Sequence, residues 1–424
     1  MSQAHRRPGL RILLSELALA VAAGCSSPAP PPPTSVYNNT TDPTNGGATY
    51  LTSGVCRTCH RDIEAAQRIH GHAWMLNHVQ GAAPTYPSQA ARAGIPGPPA
   101  GFGWDDVSYV IGGYIRKADC IDLNGFVITT GTAGTDAQWN LAFPPNGTMA
   151  GFVPGEGTSA APAPYGYACF RCHTTGPLPQ DANRPEFQEG RPGFAGTWAE
   201  AGIQCEACHG PGSNHVPNPH ARDIYVNPGV CHRCHSRPFD SDGSMIAAAH
   251  GYIQGHQQYS ELRASGGHSG FACTTCHDPH ASANYDSANA FVKNCLDCHP
   301  NQTMALHSGI TFARGSYVEP LSCKSCHMPY ASFHASVAGP PVVGDTGRMG
   351  DLRTHIFRIS TLPRTYVGFF TPDGSAVQKD AQGRAAVTVD FVCLRCHSGR
   401  GNAFVLTVGA AAAITTTGGG IHAR

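Results

Sequence analysis

Eight times along this chain a Cys-x-x-Cys pair is followed directly by a histidine, and no other feature constrains the fold as tightly. The first four copies are Cys56-Cys59-His60, Cys169-Cys172-His173, Cys205-Cys208-His209 and Cys231-Cys234-His235. The later four are Cys273-Cys276-His277, Cys295-Cys298-His299, Cys323-Cys326-His327 and Cys393-Cys396-His397. Two thiols about one helical turn apart suit a pair of thioether bonds to porphyrin vinyl groups. The adjoining imidazole then lies under the ring as an iron ligand. Zinc ribbons use paired Cys-x-x-Cys without a histidine after every second cysteine. Thioredoxin-like motifs occur once or twice per domain, and disulfides pair cysteines without regard to histidine. With 23 His among 424 residues, a His behind all eight pairs is no accident of composition. The motifs read as eight covalent haem c sites, with sixteen cysteines as anchors and eight histidines as proximal ligands.

Each iron has a second face. The 23 His less the eight of the motifs leave fifteen. His5 belongs to the N-terminal leader, and His232 lies between two motif cysteines, badly placed to ligate. Thirteen remain, enough for eight distal ligands without methionine. The candidates are His72, His215, His256, His268, His280, His307, His334 and His355. His280 lies three residues past His277 and His215 six past His209. So short a tether keeps each on its own proximal side, so each is expected to serve a neighbouring haem. Two imidazoles per iron leave no open coordination position, which suits electron transfer better than substrate chemistry.

The motifs use sixteen of the 18 cysteines, leaving Cys25 and Cys120. Cys120 reads as a buried free thiol in a strand, with a Cys25–Cys120 disulfide as the alternative. Before Cys25 come Arg6, Arg7, Arg11, an apolar run from Ile12 to Ala23, and Gly24. That is the layout of an export signal over residues 1–24. Cys25 is a candidate for lipid anchoring, although Ala22 stands where such signals usually carry leucine. The Pro-rich residues that follow suit a tether over 25–50.

Charged residues make up 13% of the chain, with 28 basic against 28 acidic, so no polybasic footprint points to nucleic acid. Gly and Pro are abundant (50 and 34), which favours turns over long helices. Six motifs fall between Cys169 and His327, a density that leaves the porphyrins to act as the core. The expected fold is mainly α with extensive irregular loop, packed around haems, with a small β-hairpin insert between the first two. Residues 51–104 would hold the first haem, 105–168 a β-rich insert and loop, 169–335 a six-haem core, and 336–424 the eighth haem. The Asn124-Gly125 pair between β-branched and aromatic runs marks a hairpin, and Asp373-Gly374 marks a second. A short helix is expected over Thr197–Glu206 and a closing helix over Ala403–Ile414.

Several stretches carry a resemblance. They are Gly71-His72-Ala73 with Leu76-Asn77, Trp104 to Gly113, Gly196-Thr-Trp-Ala-Glu200, and Cys205 to Ser213 with His215. His256-Gln-Gln-Tyr259, Cys273 to His280, and Gly350-Asp351 with His355-Ile-Phe357 belong with them. Over roughly residues 50–400 the chain resembles bacterial multihaem c-type cytochromes, in the superfamily of nitrification tetrahaem cytochromes and hydroxylamine oxidoreductase. The resemblance implies that His72, His215 and His280 are distal ligands.

Together these readings point to an exported octahaem electron carrier, periplasmic or at the cell surface. Its partners would be other redox proteins: cytochromes, quinol-linked or outer-membrane electron-transfer components. The alternative is a multihaem oxidoreductase acting on nitrite, hydroxylamine or a sulfur oxyanion at one open haem, with His60 or His397 as the suspected site. Subunits polymerising into a haem filament are a third class.

Overall fold

A computed structural model describes residues 47–129, 136–155, 162–220, 224, 229–237, 245–304, 306–335, 342–343, 346–416 and 421–422. The residues read as an export signal, Cys25 and most of those read as a tether lie outside the described residues. The expectation of a mainly α protein is overturned: of the described residues 24% are helical and 21% strand, in 11 short helices and several sheets.

The reason is local. A Cys-x-x-Cys-His site needs one helical turn, and one turn is what most motifs receive: Cys205–His209, His232–His235, Cys295–Cys298 and Cys323–His327. The turns start and stop on cue. Asn294 accepts from the amide of Leu296 at the start of one, and Gly210 ends another with a φ of 72°. Among the described residues the longest helices are Arg61–Arg68 and Val408–Thr416. The expected helix over Thr197–Glu206 does not form. Thr197 pairs in a strand with Leu178, and helix begins only at Cys205. The closing helix begins at Val408, later than expected.

The stretch after the first motif carries a seven-stranded sheet. Its strands are β1 (Leu76–His78), β2 (Val107–Gly112), β3 (Lys117–Asp122), β4 (Phe126–Val127), β5 (Asp136–Asn140), β6 (Gly151–Pro154) and β7 (Ala163–Pro164). The order is β1-β2-β3-β4-β7, with β5 pairing with both β3 and β6. The Asp122 carboxylate closes the β3–β4 turn by accepting from the amides of Asn124 and Phe126, and Gly125 supplies the positive φ of 88° there. Cys120 is wholly buried in β3 with a free thiol. The second expected turn is present too: Phe370 bridges Val377 around Gly374.

Two apolar clusters flank the motifs. One joins Leu76, Tyr109 and Ile121 of the sheet to Phe194, Trp198 and Phe170, the last inside the second motif. The other gathers Ile246, Tyr252, Ile253, Ile356, Phe369 and Phe391 near the eighth motif. Burial of this kind contributes about 25 cal/mol per Å², so the motif turns are held by tertiary packing and not by helix propensity.

Candidate functional site

A continuous cavity of about 2540 Å³ runs past cysteines or histidines of the first seven motifs. Around it and beside the eighth motif, each motif histidine faces a second imidazole. Ring centroids are 6.3 Å apart for His60 and His215, 6.5 Å for His173 and His256, and 6.2 Å for His209 and His280. They are 6.0 Å apart for His235 and His72, 6.1 Å for His277 and His355, and 5.9 Å for His299 and His268. The last two pairs are His327 with His422 at 5.8 Å and His397 with His307 at 6.2 Å. An imidazole nitrogen sits about 2 Å from a bound first-row metal, so two rings on opposite sides of one iron place their centroids about 6 Å apart. The spacing and the motif chemistry fit haem c held between paired histidines.

Seven of the distal candidates thus face a motif histidine: His72, His215, His256, His268, His280, His307 and His355. His334 does not. Its ring packs edge-on against His256 at 4.4 Å. The ring facing His327 belongs to His422, a residue the sequence reading did not single out. His280 and His215 face the histidines of the third and first motifs, across the tether from their own neighbours.

The imidazoles are prepared for this. Nδ1–H donates to a carbonyl or side-chain oxygen in His235 (Gln258 Oε1, 2.9 Å), His327 (Phe357 O, 2.8 Å), His397 (Phe404 O, 2.7 Å) and His422 (Thr303 O, 2.6 Å). His280 Nδ1 lies 3.0 Å from the Asp278 carboxylate. Such bonds fix the ring and leave Nε2 free to ligate. Burial, ahead of neighbouring charges, pulls His173 down to about 4 and His256 and His355 to about 3, and holds His72 well below its ordinary value. All four are therefore held neutral, the form that binds metal.

The motifs also abut one another. The Cys172 thiol points to the Arg233 carbonyl (3.8 Å) and the Cys234 thiol to the Arg171 carbonyl (3.9 Å), so the second and fourth motifs meet face to face. Thiol–thiol contacts join Cys56 to Cys205, Cys231 to Cys273 and Cys295 to Cys323. Cys208 neighbours Cys231, Cys276 neighbours Cys298, and Cys326 neighbours Cys393. The motifs form a continuous order, 1–3–4–5–6–7–8, with the second branching from the fourth.

Comparison with known proteins agrees with this chemistry. The family described as "Cytochrome c554 and c-prime" matches residues 158–210. The dissimilatory sulfite reductase MccA of Wolinella succinogenes is 25% identical over 247 residues, covering 46% of this chain and 33% of that protein. The multiheme cytochrome MtrA of Shewanella baltica is 26% identical over 153 residues, covering 34% of this chain and 41% of that one. The matches thus span about a third to two fifths of those relatives' lengths. Among solved structures, the W. succinogenes octaheme sulfite reductase MccA superposes with a TM-score of 0.55 at 17% identity, covering 89% of this chain and 71% of that chain. The outer cell wall cytochrome OcwA gives 0.50 at 17% identity, covering 87% and 86%. Over part of its length the chain is similar to multihaem c-type cytochromes, and its paired cysteines and facing histidines fit haem c.

Proposed function

We propose that the chain is an octahaem electron carrier in which every iron is held between two histidines. The observation that carries this is the facing of all eight motif histidines by a second imidazole at 5.8–6.5 Å. Bound haem c would supply one-electron exchange between ferric and ferrous iron. The chain's own residues do the rest. Paired cysteines would fix each ring by two thioethers, and the paired imidazoles would hold each iron. Carbonyl and carboxylate acceptors lock the imidazole orientation, so little rearranges when the charge on the metal changes. Contacts between motif thiols set the order of neighbours along the chain. Export is supported by the layout of residues 1–24, and a lipid anchor by Cys25 after Gly24. Redox proteins on either side are the natural partners. The haem count is tested by intact mass and haemochrome absorbance: eight attached groups are expected, and fewer would reject it.

One observation favours a second reading, reduction of a small oxyanion at the second motif. His256 holds a left-handed backbone (φ 67°), a strained state for a residue with a side chain, and its 6.5 Å separation from His173 is the longest of the eight. His334 crowds it at 4.4 Å. After burial, the charge of Lys117 is among the influences that lower His173, His256 and His334. An exchangeable axial position would arise here. Addition of nitrite or sulfite decides: an altered spectrum supports this reading, and an unaltered one leaves the carrier.

A further inference from the structure

Reducing a bound ferric haem adds one electron and removes one unit of positive charge, so a buried cation nearby stabilises the reduced form and a buried anion opposes it. The charges buried beside the motifs are unevenly distributed along the chain of sites. Arg395 stands between the two cysteines of the eighth motif with its side chain 1% exposed. It donates to Glu319 Oε2 (2.7 Å) and to the carbonyl of Ser325 (2.9 Å), a residue inside the seventh motif. Arg353 donates to the other Glu319 oxygen at 2.8 Å. Arg314 donates to the Arg395 carbonyl at 2.8 Å. Two guanidiniums therefore meet one carboxylate, and a third lies against the backbone of Arg395. Asp390 behind Cys393 faces its own cation, Arg348, and Lys324 lies within the seventh motif over Phe291. The balance around the last two motifs is positive and, at Arg395, fully buried.

The first motif has the opposite surroundings. Glu206, inside the third motif and buried to 1% exposure, reaches toward the first and accepts from the amides of Leu51, Thr52 and Gly212. Glu64 lies with its side chain 12% exposed, while its partners Arg57 and Arg68 are 57% and 60% exposed. Water screens those cations far more than it screens the acids.

We infer that Arg395 is a potential-setting residue, which makes the seventh and eighth motifs the sites of highest electron affinity and the first motif a low-affinity end. The wire is graded, and electrons run from the first motif toward the eighth between a one-electron reductant and a one-electron oxidant. This rests on the eight-haem reading.

The test is a spectropotentiometric titration of the full, haem-loaded protein, with haem content fixed separately by mass and haemochrome absorbance. In Arg395→Met the most easily reduced quarter of the haem absorbance shifts to lower potential, while the remainder holds. Arg395→Lys shifts it less. Glu319→Gln shifts the same quarter upward, and Arg353→Gln, at a side chain 26% exposed, shifts it downward. Opposite signs for the two removals mark an electrostatic role that a structural brace would not give. An unmoved upper quarter in Arg395→Met or Arg353→Gln, or shifts of one sign for Arg353→Gln and Glu319→Gln, overturns the inference. A wild-type count below eight would instead fault the haem assignment.

Discussion

His422, and not His334, faces the histidine of the seventh motif. His215 and His280, kept by short tethers on the side of their own motif histidines, each face the histidine of another motif. His422 has no such tether. It meets His327 because Thr303 accepts from its Nδ1 at 2.6 Å, a contact between segments far apart in sequence. His334 is buried beside His256, with its backbone amide donating to Asp351 at 2.9 Å. On this account His422→Ala and His280→Ala each turn one haem high-spin while every haem stays covalently attached. His334→Ala leaves all of them low-spin. Electron paramagnetic resonance on the three variants reads the difference, and a high-spin signal in His334→Ala would reverse the assignment. Glu319 gives a second residue-scale expectation. Despite opposing burial, Arg395 and then Arg353 hold its carboxyl below the ordinary glutamate range. The stability it contributes is therefore complete above its unfolded value of about 4 and lost only as acid carries the pH through the lower folded value. Glu319→Gln should unfold more readily than wild type at pH 7, with the gap closing in strong acid. A gap that widens on acidification would contradict the sign.

At the scale of elements, the sequence announced turns and motifs but understated the strands. The Asn124-Gly125 turn formed where its residue types place it, because an Asp-x-Asn-Gly sequence carries its own hydrogen-bonding partners. The sheet grew beyond a hairpin because β5 and β6 pair across segments no local pattern links. The helices shrank because motif turns need only one turn each, and Gly210 stops one of them outright. The sheet packs on the second motif through Phe170, whose side chain is fully buried with Trp198 and Phe194. Phe170→Ala removes that contact and should cost about 3–5 kcal/mol, read by chemical denaturation. The perturbation should be strongest at the haem of that motif. A loss below about 1 kcal/mol would mean the sheet is not what holds this turn.

At the scale of the whole molecule, cysteine spacing alone indicated a haem-packed interior, since six motifs between Cys169 and His327 leave little room for anything else. The order in which the motifs touch was not legible, because it depends on thiol contacts such as Cys56 with Cys205 and Cys295 with Cys323 that only the folded chain creates. That order puts the motifs on one path, with the second branching from the fourth. Its use as a wire requires that every iron be closed on both faces. Electron paramagnetic resonance of the oxidised protein, recorded with and without nitrite, tests this most directly. The account predicts low-spin ferric signals alone, unmoved by the added anion. A high-spin signal that shifts with nitrite would reveal an open iron, and the chain would then be a reductase first and a wire second.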